Sequence, residues 1–184
     1  MSLIEELQRK ANEEPKYPSD QEFLERKAID VIYEMLKAKE LLEKGDSRNA
    51  AGKAFQAWKD LLSCLIYLNL DKLAKSEKER EWLIKKGIVV PTTKIQPLAL
   101  KLEELGYEGI SSWSDKALLL HNYQYNGPDP DNYYGGIVSE EVAKEYVKLL
   151  LKATKEYLEN YVIPHIKGKS LELVKRALKL LDEG

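Results

Sequence analysis

The chain has 184 residues, of which 43% are hydrophobic and 33% charged, and this is enough for one folded domain with a substantial core. Its formal net charge is −2, and it contains no run of five or more lysine or arginine residues. Proteins that coat nucleic acid carry a concentrated cationic patch, so this composition argues against DNA coating and is compatible only with a local nucleotide or RNA site.

The cysteine content and the N-terminus narrow the class of protein further. Cys64 is the single cysteine and lies in an apolar run, so we expect a buried, inert thiol. The sequence has neither the residue spacing of a metal site nor a cofactor-binding motif, so we predict no bound metal and no cofactor. No apolar stretch reaches the ~20 residues that span a bilayer, and the acidic N-terminus has no signal-peptide core. We therefore expect a cytoplasmic protein. Its lysine and glutamate enrichment is typical of thermophiles.

Two helices are predicted at the start of the chain. A short amphipathic helix over residues 2–12 ends before the prolines of segment 15–18. Ser19 and Glu22 then have the capping-box spacing, and the helix that they start stops at Gly45. Its apolar residues alternate four- and three-residue steps, at Leu24, Ala28, Val31, Met35, Ala38 and Leu42. Such a seam predicts packing against a partner helix.

The third predicted helix has the widest apolar arc. Asp46 is its N-cap candidate, and the pattern continues to about residue 72. The apolar positions are Ala50, Ala51, Ala54, Ala57, Trp58, Leu61, Leu62, Leu65, Ile66 and Leu68. Small residues at its start, including Gly52, permit close approach by a neighbouring helix. We predict that this helix is central in a bundle.

Shorter elements fill the middle of the chain. In order, they are a helix capped by Ser76 and closed at Gly87, an extended segment at 88–90, a helix over 92–105, a turn at 109–112 and a helix over 113–125 that stops at Gly127. These signals indicate short helices inserted between longer ones.

Two further helices complete the chain. The first is capped by Ser139 and ended by Pro164, and its apolar residues are Val142, Tyr146, Leu149, Ala153, Tyr157 and Tyr161. The second follows residues 168–170 and has Leu171, Val174, Leu178 and Leu181 on one face. Because no period-2 pattern is sustained, we predict an all-α antiparallel helical bundle. We expect a single domain over 1–184, with an N-terminal appendage at 1–18, a bundle core at 19–165 and a C-terminal helix at 169–184.

Polar chemistry concentrates where the helix over 113–125 ends. The candidate ligand-binding residues are His121, Asn122, Tyr123, Tyr125 and Asn126. Their imidazole, phenol and amide groups are suited to stacking on a base or small ligand and to hydrogen bonding it.

A dimer interface is the alternative use of these aromatic residues. Tyr133 and Tyr134 follow in the next loop, and tyrosine buries much area at low entropy cost while keeping a polar tip. We favour the interface over a ligand pocket. Asp129 and Asp131 have the alternate spacing of a calcium loop, but intervening prolines and the lack of a suitably placed glutamate argue against a metal site.

Two stretches of sequence resemble a known family. They are residues 45–58, GDSRNAAGKAFQAW, and residues 117–125, ALLLHNYQY. Both resemble the archaeal PaREP family, whose members are similar in outline to HEPN-like helical bundles. The resemblance extends in order and spacing over about residues 20–165. It implies a HEPN-like bundle, a homodimer and a nucleotidyltransferase-type or toxin–antitoxin protein partner.

HEPN ribonucleases use an arginine, a polar residue and, three to five residues later, a histidine in a dimer cleft. In this chain Lys116 lies five residues before His121, and Ala117 stands in the polar position. Five helical steps place the two side chains about 140° apart. Lysine also lacks the planar guanidinium group with which arginine can form two hydrogen bonds to a phosphate. The alternative function is therefore a metal-independent ribonuclease in which His121 is the acid/base and Lys116 holds the phosphate.

Our leading hypothesis is a binding module rather than an enzyme. The chain has no Gly-rich phosphate loop, no Gly-x-Ser-x-Gly and no His-Glu-x-x-His. We expect a dimeric, non-catalytic or weakly catalytic helical protein that recognises a protein partner, a nucleotide or RNA in a cleft near His121.

Overall fold

Helices make up almost all of the computed structural model, which describes residues 2–11, 20–84 and 90–183. Within these ranges the α-helices are α1 Leu3–Ala11, α2 Asp20–Glu43, α3 Ser47–Leu68, α4 Leu70–Leu73, α5 Glu77–Trp82, α6 Ile95–Glu104, α7 Ile110–Asn126, α8 Glu140–Tyr157 and α9 Gly168–Asp182. The same ranges contain no β-strand, so the predicted all-α class is confirmed. None of these helices combines the length and apolar character that crossing a membrane requires.

The hairpin of α2 and α3 forms as the sequence predicts. Gly45 has φ +82°, a left-handed conformation that suits glycine, and it ends α2. Asp46 caps α3 by accepting a hydrogen bond from the Asn49 backbone N–H at 3.2 Å. Ser19, the predicted cap of α2, and the segment 85–89 lie outside the described residues.

Helix α3 is the centre of the bundle, as predicted. It packs against α2, α6, α7 and α8, while α9 covers α2 and α1 packs on both α2 and α9. Ala51 and Ala54 are fully buried where α7 crosses the first half of α3. Further along, the Trp58 indole N–H donates to Ser114 Oγ of α7 at 3.0 Å. These contacts fix the distance between α3 and α7.

The structure corrects the start of α7. Residues 109–112 were expected to form a turn, but α7 begins at Ile110. Glu103, at the end of α6, accepts hydrogen bonds from the Ser111 backbone N–H at 3.1 Å and from Ser111 Oγ at 2.6 Å. The cap is therefore supplied by another helix, and local sequence signals do not contain it.

The buried face of α8 is also corrected. Leu149, expected in the core, is 42% exposed, and the buried residues are Ala143, Val147, Leu150, Ala153, Thr154 and Tyr157. The buried face is shifted by about one residue from the predicted one, and the Thr154 hydroxyl within it donates a hydrogen bond to the Leu150 carbonyl at 2.7 Å.

Three boundaries differ from the expectation. Helix α3 stops at Leu68, where the Asn69 side chain donates to the Leu65 carbonyl at 2.7 Å. Helix α8 ends at Tyr157 and is followed by a π-helical turn at Leu158–Val162 and a 3₁₀ turn at Ile163–His165, which contains Pro164. Helix α9 begins at Gly168 itself.

Acidic side chains meet at the α2–α3 interface. Asp60 is buried and accepts from Lys27 Nζ at 3.5 Å and from the Gln56 amide at 3.3 Å. Burial raises the pKa of Asp60 to about 6. Burial, and then the neighbouring Asp60, raise the pKa of Asp30 to about 7. Because these pKa values lie above those of the unfolded chain, the protonated carboxyl groups favour folding, and stability falls as pH rises from about 4 to 7.

We predict that Asp60→Asn raises the free energy of unfolding at pH 8 by about 1–2 kcal/mol, since it removes a buried charge and keeps an acceptor for Gln56. The difference from wild type should vanish near pH 4. Denaturant unfolding at both pH values measures it, with the exposed Glu104→Gln as a charge-matched control. A variant that is less stable than wild type at pH 8 would contradict the prediction.

Candidate functional site

A groove of about 450 Å³ lies where the end of α7 crosses the first half of α3. Its lining residues are Leu41, Asn49, Gly52, Lys53, Phe55, Gln56, Lys59, Thr92, His121, Gln124 and Tyr125. Aromatic rings, amides and lysines therefore share one open surface.

Gly52 determines how closely α7 approaches at this point. A Cβ atom on Gly52 would lie 2.3 Å from Cδ of Gln124, so the Gln124 amide rests directly on the backbone of α3. Any larger residue at position 52 must push this flexible side chain away. Glycine in the middle of a helix is unfavourable by about 1 kcal/mol relative to alanine, and its position here serves the close contact.

Arg48 fixes the end of α7 beside the groove. Its Nε donates to the Gln124 carbonyl at 3.0 Å, and its Nη2 donates to the Tyr125 carbonyl. A cation that hydrogen bonds the last carbonyls of a helix also interacts favourably with the helix dipole. Arg48 thereby positions the two residues of α7 that form one wall of the groove.

His121 is held between two aromatic rings. It stacks on Phe55 with ring centroids 4.2 Å apart, and the edge of Tyr125 packs against it at 5.2 Å. Among the described residues no group hydrogen bonds its buried Nδ1 atom. Burial, and then the charge of Lys59, lower the pKa of His121. The ring is therefore neutral at neutral pH, since protonation would place a second N–H group or charge where nothing accepts it.

Two lysines of α3 border the same surface. Lys53 Nζ lies 3.1 Å from a Glu34 carboxylate oxygen. Lys59 Nζ lies 5.6 Å from the centre of the Phe55 ring and forms no ion pair within the described part of the chain. Burial lowers the pKa of Lys59. An incompletely solvated cation without a carboxylate partner is suited to an anionic ligand.

The structure brings together only part of the predicted site. His121 and the 66% exposed Tyr125 line the groove. Tyr123 is 2% exposed and shares a hydrogen bond with Ser47 Oγ at 2.9 Å, which corrects its assignment to the cleft. Asn122 lies toward Gly136 on another side of α7, and the exposed Asn126 does not line the groove. Helical geometry separates them, because each residue turns the side chain by about 100°.

The structure also separates the alternative catalytic pair. Lys116 Nζ lies 3.7 Å from the centre of the Tyr146 ring on α8 and 5.7 Å from that of Trp113. This cation–π contact holds Lys116 at the α7–α8 interface, away from the groove that contains His121. Within the chain, the proposed phosphate holder and acid/base therefore do not converge.

Sequence reasoning missed the wall that α3 provides. Lys53, Gln56 and Lys59 follow one another at three-residue steps, which resembles the solvated face of a surface helix. Gly52 was the available signal, because a glycine within a strongly helical segment indicates a close contact. Cys64 is buried, as expected, and burial raises the pKa of its thiol. In the described ranges, three or more potential metal ligands nowhere come together.

Fold and groove together define a class: an all-α helical bundle with an aromatic, lysine-bordered groove on its central helix. The sequence model of the Archaeal PaREP1/PaREP8 family matches residues 28–147, more than half of the chain. The chain therefore belongs to the Archaeal PaREP1/PaREP8 family. No curated protein and no solved structure matches it.

We predict that His121 titrates with a pKa below the usual 6.5 and that Lys59→Gln moves this pKa upward, because the substitution removes a nearby positive charge. NMR titration of the imidazole protons measures both. Lys148→Gln, on the exposed face of α8, is the matched control. A pKa that Lys59→Gln leaves unchanged or lowers would show that the two side chains are not neighbours.

Proposed function

We propose that the protein is a non-catalytic nucleotide-binding module whose ligand lies in the groove between α3 and α7. The observation that carries the proposal is the position of Lys59, a cation that forms no direct ion pair among the described residues, in the same groove as the His121 and Tyr125 rings. The groove thus offers both positive charge and aromatic rings. A nucleotide has the complementary pair, a phosphate and a flat base.

Stacking supplies the base-binding part of the proposal. The Tyr125 ring is mostly exposed, and its orientation is supported by the edge contact with His121. A base that stacks on a tyrosine gains about 1–3 kcal/mol. The Gln124 and Gln56 amides border the same space and carry both donors and acceptors for the edge of a base.

Charge supplies the phosphate-binding part. Lys53 and Lys59 are six residues apart on α3, and both line the groove. Lys53 already balances Glu34, so Lys59 is the cation left to interact with a phosphate. With a net charge of −2 over the whole chain, such a site is local and suits a small ligand or a single nucleotide of a longer strand.

Catalysis is not part of the proposal. His121 is stacked and neutral, and no group in the described ranges hydrogen bonds its Nδ1, whereas a general base needs an orienting group. RNA cleavage that disappears in His121→Ala would replace this proposal with the ribonuclease. The homodimer and the nucleotidyltransferase-type or toxin–antitoxin partner stay predictions, and sedimentation of the wild-type protein tests the first.

We predict that AMP binds to the wild-type protein and that Tyr125→Ala weakens its affinity roughly tenfold, by the loss of one stacking contact. Calorimetric titration with AMP, adenosine and inorganic phosphate measures this effect. Tyr133→Ala, which removes another exposed tyrosine outside the groove, is the matched control. If wild type binds none of the three ligands, or if both variants lose affinity equally, the proposal is wrong.

We predict that Gly52→Ala leaves the protein folded, with stability unchanged or raised by up to about 1 kcal/mol, because alanine is the better helix former. The new Cβ pushes the Gln124 amide into the groove, so AMP affinity should fall roughly tenfold even though the fold is intact. Thermal unfolding and calorimetry on the same sample measure the two effects. Loss of stability together with full AMP affinity would contradict the assigned packing of Gln124.

A further inference from the structure

The loop between α7 and α8 is rigidly organised around one buried side chain. The Asp129 carboxylate accepts hydrogen bonds from the backbone N–H groups of Tyr133 at 2.9 Å, Tyr134 at 3.2 Å and Gly136 at 2.9 Å. Its own N–H donates to the Ile137 carbonyl at 2.7 Å. Burial raises the pKa of Asp129, but the three N–H donors outweigh this effect and lower it overall. The loop backbone therefore has a fixed shape at neutral pH.

This fixed loop presents two aromatic rings to solvent. Tyr133 is 84% exposed and Tyr134 is 58% exposed, although their backbone N–H groups are tied to Asp129. Neither ring lines the groove between α3 and α7. A preorganised backbone reduces the entropy that a partner must overcome, so exposed rings on such a loop are suited to binding.

Acidic residues flank the two tyrosines in the sequence. Segment 126–141 contains Asp129, Asp131, Glu140 and Glu141 and no lysine or arginine. Asp131 and Glu141 are exposed, and neither forms an ion pair in the part of the chain that the structure describes. Glu140 lies 3.6 Å from Lys144 Nζ. Arg48 lies near Gly127 at the start of the loop, and its Nε and Nη2 donate to carbonyls at the end of α7.

We infer that this tyrosine loop, residues 127–139 together with Glu141, is a docking surface for an arginine-rich segment of a partner protein. Guanidinium groups stack on tyrosine faces and pair with carboxylates, and the loop offers both within a few residues. The surface lies outside the proposed nucleotide groove and has the opposite charge, so it extends the function of the molecule beyond that groove.

Charge distinguishes this partner from two other occupants. A nucleic acid strand would place phosphates against Asp131 and Glu141, which repel it. A second copy docked loop to loop would oppose two identical acidic surfaces, because a twofold interface pairs each patch with itself. The chain has only five arginines, so it is a poor source of such a segment for itself.

The test uses fluorescence anisotropy of a labelled peptide of alternating arginine and glycine. We expect binding that weakens at least about tenfold in the double variant Tyr133→Ala and Tyr134→Ala. These changes keep the backbone N–H donors to Asp129, so the loop retains its shape. The double variant Asp131→Asn and Glu141→Gln should also weaken binding and flatten its salt dependence.

Glu104→Gln and Tyr125→Ala are the matched controls, since they change charge and aromatic surface elsewhere, and both should bind the peptide as wild type does. The inference is overturned if the peptide does not bind or if Glu104→Gln weakens it equally. It is also overturned if an otherwise identical lysine peptide binds as tightly, or if the tyrosine double variant dissociates a dimer in sedimentation. Because Tyr125→Ala tests the nucleotide groove separately, failure here leaves the proposed function standing.

Discussion

The close approach of α7 to the first half of α3 is the constraint on which the groove depends. Alanines 51 and 54 are buried here, the missing Cβ of Gly52 leaves room for the Gln124 side chain against the α3 backbone, and Trp58 hydrogen bonds Ser114 further along the same contact. A bundle with larger side chains here would hold the helices apart. His121 would then lose its stacking contact with Phe55.

Electrostatics divides the aromatic residues of this region into two groups with different chemistry. Tyr125 faces a surface bordered by Lys53 and Lys59, whereas Tyr133 and Tyr134 belong to a segment that contains only acidic charges. In the sequence these tyrosines form one cluster within ten residues. Arg48 fixes the C-terminal turn of α7, where Tyr125 lines the groove, and Tyr133 and Tyr134 lie outside the groove. The two proposals therefore assign an anionic and a cationic ligand to different surfaces of one chain.

Periodicity and capping signals predicted most of the fold and much less of the site. The central position of α3, the Asp46 cap and the all-α class follow from local patterns and are confirmed. The predicted start of α7 was wrong because its cap, Glu103, comes from another helix. The predicted α8 face was wrong by about one residue, because apolar residues occur on two adjacent faces and the sequence alone does not show which of them meets α3. His121 and Tyr125 were identified by their chemistry. Lys59 and Gln124 were missed, since only tertiary contact distinguishes them from a solvated surface.

The central claim is that a nucleotide occupies the groove between α3 and α7, and its most direct test is the amide NMR spectrum of the intact chain during titration with AMP. The proposal predicts that the largest shift changes fall on Gly52, Gln124 and Tyr125, which flank the groove on both helices. Changes confined to the loop at 133–136, or a spectrum that AMP leaves unaltered, would contradict it.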